Sequence, residues 1–459
     1  MIFGAPFGDE QHASGWSHTG GVGRRGLALA LMLVGLSVAA GASADASGAS
    51  VETLHVLVAR VTWESQPFSD AQVDSAMQAA AGFFDTGSFG QVSVSYAQTR
   101  WLKVLSGPPA CGFTDAPTLG SHLAPLVAAA GYDLTAYDRL VFLLPSSNCG
   151  YAGVYEPEGI ILNGVLNAGL VVHELAESLG MGDPGVVTCR YTASNHFCRV
   201  SGAGAPWDVM AADCCTEING STAVGDFGAL QKARAGWLTS ITHIQSAGTY
   251  TLGALEQPAG VPQALVIQTA GYQYWVDHRE AIGNDAYLAA DPQSGVTSGF
   301  AVYREVGDPD LTQNREYPLI PDYLLPQGRH NRYVTAPGQT FTLPNIFELT
   351  ALAHRDDEVT IRFRWLDHTK PATPALSVVT DSGSANVTWP SVRDTGSGVK
   401  QYLVSIDNST PTALPAQPAR PNYHDQIAGL TAGRHTISVI AADYAGNQSA
   451  PARRTVTIT

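Results

Sequence analysis

Charge is scarce in this chain. Charged residues make up 14% of its 459 positions, with 25 basic against 40 acidic and a net charge of -15. Lys and Arg stand alone or in short pairs, so the electrostatic footprint of a nucleic-acid-binding protein is missing. The apolar run from Leu27 to Ala40 falls short of the ~20 residues that a membrane-spanning helix needs. No Ser-His-Asp arrangement or nucleophile elbow is visible, which argues against serine hydrolysis. The Gly-rich stretches lack the strand–glycine–helix context of a phosphate loop. Cysteine is rare as well: six residues, all between positions 111 and 215, at spacings that match neither a zinc knuckle nor a zinc ribbon.

What is present is globular. Hydrophobic residues make up 45%, ample material for packed cores, and the length suits two to four domains at ~100–200 residues each. Arg24 and Arg25 precede the apolar run, and Ala42-Ser43-Ala44 follows it as a small-x-small cleavage site. Residues 1–44 therefore read as a signal peptide, and the protein as secreted and extracellular. In an exported chain the candidates for disulfides are Cys111, Cys149, Cys189, Cys198, Cys214 and Cys215. Sequence alone cannot choose their pairing. Proximity in the chain suggests Cys111 with Cys149 and Cys189 with Cys198.

Three regions follow the signal. Residues 45–240 mix signals for strands (Leu54 to Val61, Asp138 to Pro145) and helices (Ser69 to Phe84, Leu170 to Leu179), which suits an α/β domain. Residues 241–368 are dominated by strands, as at Ala264–Gln268, Gln273–Asp277, Phe300–Tyr303 and Thr360–Arg364, and read as a β-sandwich or jelly-roll-like domain. Lys370 to Pro374 is a Pro/Thr linker, expected to be open to proteases. Residues 369–459 carry short strands at the spacing of an immunoglobulin-like sandwich.

The chemistry sits on one predicted helix, in Val172-His173-Glu174-Leu175-Ala176-Glu177 and the following Gly180-Met181-Gly182-Asp183. Residues i and i+4 share a helix face, so His173 and Glu177 can hold one cation. Glu174 lies beside them, within reach of a water on that cation. Gly180 lets the chain leave sharply, and Asp183 can swing back as a third ligand. This is the zincin plan, H-E-x-x-H-x-x-G-x-x-H, with Glu177 and Asp183 in place of the second and third histidines. Downstream, Trp207-Asp208-Val209-Met210-Ala211 looks like a Met-turn centred on Met210.

Over most of residues 51–240 the chain resembles the gametolysin family of metzincin peptidases. The resemblance rests on Phe83 to Val94, on Tyr137 to Pro145 with Cys149-Gly150-Tyr151-Ala152-Gly153, and on Phe227 to Leu238, in that order with the helix motif. It implies a zinc ligand at His173, a general base at Glu174 and a Met-turn residue at Met210. Positions 177 and 183 depart from the family. The C-terminal region resembles a fibronectin type III domain through Trp389 and the turn Asp443-Tyr444-Ala445-Gly446-Asn447, with His435 where such domains place a corner tyrosine.

The altered ligands matter through charge. Three neutral histidines leave zinc its full double charge, whereas one histidine with two carboxylates leaves it near zero. Bound water is then acidified less, and harder oxygen ligands shift selectivity toward Mn, Ca or Mg. Three readings of the helix stand: an active metal site, a metal site with little chemistry, and a scaffold without catalysis. The expected function is a secreted zinc-dependent endopeptidase acting on protein or peptide substrates. The alternative is an inactive, adhesin-like extracellular binding protein, whose C-terminal domain would meet a cell-surface ligand.

Overall fold

The run around Val58 is apolar on both sides because both sides are covered. The strand β1 (Glu52–Thr62) is buried from Val56 onward and lies between two parallel neighbours, β2 (Val92–Gln98) and β4 (Arg139–Leu144). Val56 and Val58 pack on one face with Val73, Met77, Ala80 and Phe84 of α1 (Asp70–Gly87). Leu57, Ala59 and Val61 pack on the other with Leu123 and Val127 of α2 (Leu119–Ala129). Alternate residues of one strand thus face two helical layers, as the period of two in a strand requires. The computed structural model describes residues 51–459, apart from 65, 104, 110–117, 185, 192–195, 202–206, 212–223, 239, 259, 291–294, 308–313, 322–333 and 418–419. In 186–191, 196–201, 306–307 and 314–321 it describes the backbone alone. The signal segment 1–44 lies outside the described residues.

The protein is multidomain and rich in β-sheet. Its first sheet runs in the order β2-β1-β4-β6-β5, with the short β3 (Leu102–Lys103) beside the end of β1. β5 (Gly153–Glu156) is antiparallel to β6 (Gly159–Asn163) and forms one edge. α3 (Ala168–Ser178) packs on the α1 side of this sheet, with Leu170, Val171, Val172 and Leu175 in the same core. Each buried side chain of this kind contributes about 1.5–3 kcal/mol.

The next region is a sandwich. Its larger sheet contains Ile241–Ile244, Ala264–Gln268, Gln273–His278, Phe300–Gly307 and Asn314–Pro321. It faces a four-stranded sheet built from Gly248–Gly253, Thr340–Leu343, Phe347–Arg355 and Glu358–Trp365. Leu265, Ile267, Val276 and Val302 of one sheet meet Leu252, Phe347, Ile361 and Phe363 of the other. The break read at 240/241 is not clean: the hairpin of β7 (Val186–Tyr191) and β8 (His196–Ser201) extends the larger sheet, with β7 parallel to Asn314–Pro321.

Among the described residues the C-terminal region has seven strands in sheets of three and four, closed over Trp389, Tyr402 and Tyr423. His435 is the third residue of the strand Gly433–Asp443 and bonds through Nε2 to the Thr431 carbonyl (2.8 Å) and through Nδ1 to Asp407 (2.5 Å). The linker expected to be open is docked instead. Pro371 and Pro374 are buried, Ala372 N–H donates to the Arg393 carbonyl (3.0 Å), and Asn447 donates to the Asp367 carbonyl (3.1 Å). No helix among the described residues is long and apolar enough to cross a membrane.

Candidate metal centre

Local signals place the site before any tertiary contact does. Asn167 caps α3, its side chain accepting the Leu170 N–H (2.8 Å). Gly180 ends the helix with φ 89, its N–H bonding to the Glu177 carbonyl (2.9 Å) while the Met181 N–H reaches Ala176 (3.1 Å). That pair of bonds is the Schellman stop, which needs a residue at ease with positive φ. The reversal carries Asp183 back along the helix, and Gln231 of α4 (Ala229–Arg234) holds the returning loop by donating to the Gly182 carbonyl (3.2 Å).

The structure brings His173, Glu177 and Asp183 together: one ligand-capable atom of each lies within 4.8 Å of the others. His173 Nδ1 is 2.9 Å from the Val209 carbonyl. A carbonyl only accepts, so Nδ1 carries the hydrogen, and in the neutral ring Nε2 presents its lone pair to Asp183 Oδ1 at 3.3 Å. The turn at Trp207–Ala211 therefore aims the ring. Met210 of that turn is fully buried in the core that also holds Leu175 and Met181, and its N–H is taken by Asp208 (2.9 Å).

The titratable groups of the site act strongly on one another. Burial opposes a charged imidazole, but Asp183, by hydrogen bond and charge, and Glu174, by charge, raise His173 to about 9. Burial raises Glu174 to about 8, against the pull of His173 and with help from Glu177. Glu177 is raised by burial and by the charge of Asp183. Glu174 Oε2 is buried without a hydrogen-bond partner. One imidazole nitrogen from His173 and one carboxylate oxygen each from Glu177 and Asp183, gathered within 4.8 Å of one another, form a donor set for a divalent cation, so the residues present fit a metal.

Two contributors were not legible in advance. Gly153, first residue of the edge strand β5, lies against the Glu174 carboxylate, where a side chain would collide. Gln231 stood only within a helix pattern. Two further groups gather metal-competent side chains: His278, Glu280 and His354, and Asp367, Asp394 and Asp443. Of the cysteines, Cys149 is disulfide-bonded. Cys111, Cys214 and Cys215 lie outside the described residues, and Cys189 and Cys198 face each other in backbone register across the β7–β8 hairpin.

No protein-family model and no curated protein matches the chain. Among solved structures, wild-type OgpA from Akkermansia muciniphila is 8% identical over 90% of this chain and 95% of that one, with a TM-score of 0.22. The glycoside hydrolase domain of Endo-D from Streptococcus pneumoniae R6 is 17% identical over 22% of this chain and 17% of that one (TM-score 0.16). The spore cortex lytic enzyme SleM of Clostridium perfringens is 12% identical over 29% of this chain and 42% of that one (TM-score 0.18). The matched part thus spans less than half the length of the latter two. Superpositions this loose carry no argument about fold or activity.

Proposed function

We propose that the protein is a secreted, metal-dependent endopeptidase on a metzincin-like scaffold, with zinc held by His173, Glu177 and Asp183. The observation that carries this reading is the convergence of those three side chains beside a buried Glu174 that has an unpartnered oxygen. A bound divalent ion supplies Lewis acidity, making water a better nucleophile and a carbonyl a better electrophile. Glu174, buried beside the three ligands with one carboxylate oxygen unpartnered, would take the proton from the attacking water and deliver it to the departing amine. Val209 fixes the ring orientation of His173, and the Gly180 turn fixes Asp183.

A peptide substrate is favoured by the edge strand. Among the described residues β5 pairs with β6 on one side only, which leaves its other side to offer backbone groups to an extended chain, and it starts at Gly153, against Glu174. Export is in keeping with the disulfide at Cys149. The rival reading, an inactive binding protein on the same scaffold, draws on the two carboxylates among the ligands and on the two all-β regions that follow. A casein zymogram with and without chelator separates the readings: chelator-sensitive clearing that is absent in Glu174→Gln supports the peptidase. No clearing from metal-loaded protein supports the binding protein.

A further inference from the structure

We propose a second metal site, remote in sequence from the first, at His278, Glu280 and His354 in the sandwich of residues 241–368, taking zinc or a similar borderline divalent ion. His278 ends the strand Gln273–His278 of the larger sheet, and Glu280 follows two residues later. His354 lies near the end of Phe347–Arg355 in the opposite sheet. The three ligand-capable atoms lie within 4.8 Å of one another, and the two rings meet edge to face with centroids 4.9 Å apart.

Hydrogen-bond bookkeeping points to a cation. His278 Nδ1 lies 2.6 Å from the Gly299 carbonyl, which only accepts, so Nδ1 carries the hydrogen. The neutral ring then turns the Nε2 lone pair toward Glu280 Oε1, 3.0 Å away. His354 Nε2 reaches the same oxygen at 2.7 Å. A lone pair facing a carboxylate needs a positive centre between them, either a proton or a metal. Two imidazoles and one carboxylate form a common zinc donor set. The Glu280 N–H is anchored on buried Glu256 (3.0 Å), so the carboxylate's backbone is fixed. The His278 side chain is 0% exposed, against 19% for Glu280 and 24% for His354, which leaves one side open for a water as fourth ligand. The ion would tie the two sheets of the sandwich together, so its binding adds to the stability of the fold.

The test is metal stoichiometry of the full chain after equilibration with zinc and removal of the excess. The readout is His173→Ala, which disables the α3 site and isolates this one. One zinc per chain in His173→Ala, falling to none in His173→Ala/His354→Ala and in His173→Ala/Glu280→Gln, is the expected result. Cobalt-loaded His173→Ala should also show the visible bands of a four-coordinate ion, absent in either double variant. Zinc should raise the thermal midpoint of His173→Ala and leave both double variants unmoved. No zinc in His173→Ala with unchanged far-UV circular dichroism overturns the proposal, leaving a proton-bridged triad. One zinc retained in the double variants overturns it equally. Either outcome leaves the α3 site untouched, because that site is read separately as the zinc lost between wild type and His173→Ala.

Discussion

A Cβ placed on Gly153 would lie 2.3 Å from Oε1 of Glu174 and 2.8 Å from its carboxyl carbon. The edge strand and the proposed proton carrier thus share one volume. Gly153→Ala is expected to displace the carboxylate and lower turnover by about a hundredfold, the scale at which a misplaced group costs catalysis. Metal content should stay at the wild-type value. Peptidase assay and metal analysis of the same preparation check both halves.

Glu177→His should restore a neutral ligand and leave more positive charge on the metal. Bound water is then more acidic, so turnover should rise several-fold and the acid limb of the pH–rate profile should move down. A profile unmoved in pH with metal still bound would count against the metal's net charge as the control on turnover.

Phe84 sits under both the first sheet and the closing segment, with its ring 5.7 Å from Phe227 and 6.3 Å from Trp237. Phe84→Ala should cost about 3–5 kcal/mol, seen as a lower denaturant midpoint for the transition that includes the first domain.

The sequence already showed most of the first domain's core. Val73, Met77, Ala80 and Phe84 recur at helical spacing and all are buried. The i, i+4 pairing of His173 with Glu177 needs only the helix to exist. What stayed hidden depends on chain segments far apart. His278 and His354 meet only because two sheets face each other. Gly153 gains its meaning from Glu174, and nothing near residue 153 announces that. The docked linker escaped notice because a Pro/Thr stretch reads as open chain until Pro371 and Pro374 are seen buried.

The His435–Asp407 pair should make the C-terminal sandwich sensitive to pH. His435 is raised by its bonds to Asp407 and the Thr431 carbonyl, so its contribution is fully present below the ordinary value of 6.5 and fades as pH rises through the raised one. Asp407 is lowered by its bonds to the Thr436 N–H and His435, so its contribution holds above 3.8 and is lost as pH falls through the lowered value. The stability gap between wild type and His435→Gln should therefore be widest between about pH 4 and 6.5 and should shrink at alkaline pH. Thermal melts across that range measure it.

Limited proteolysis should spare Lys370–Pro374, because its backbone is bonded to Arg393 and its prolines are buried. A first cut inside those five residues would show that the docked arrangement opens in solution.

The strand pairing of Val187 with Leu319 sets a timetable for the emerging chain. At ~5–20 residues per second, on the order of ten seconds separate the synthesis of these partners. During that interval the β7–β8 hairpin, with Cys189 opposite Cys198 in register, waits with a bare edge, and bare edges invite wrong pairings. A chain cut at residue 240 never receives its partner. Fragments that end there should therefore associate with one another, whereas chains extended past Pro321 can close the gap within a single molecule.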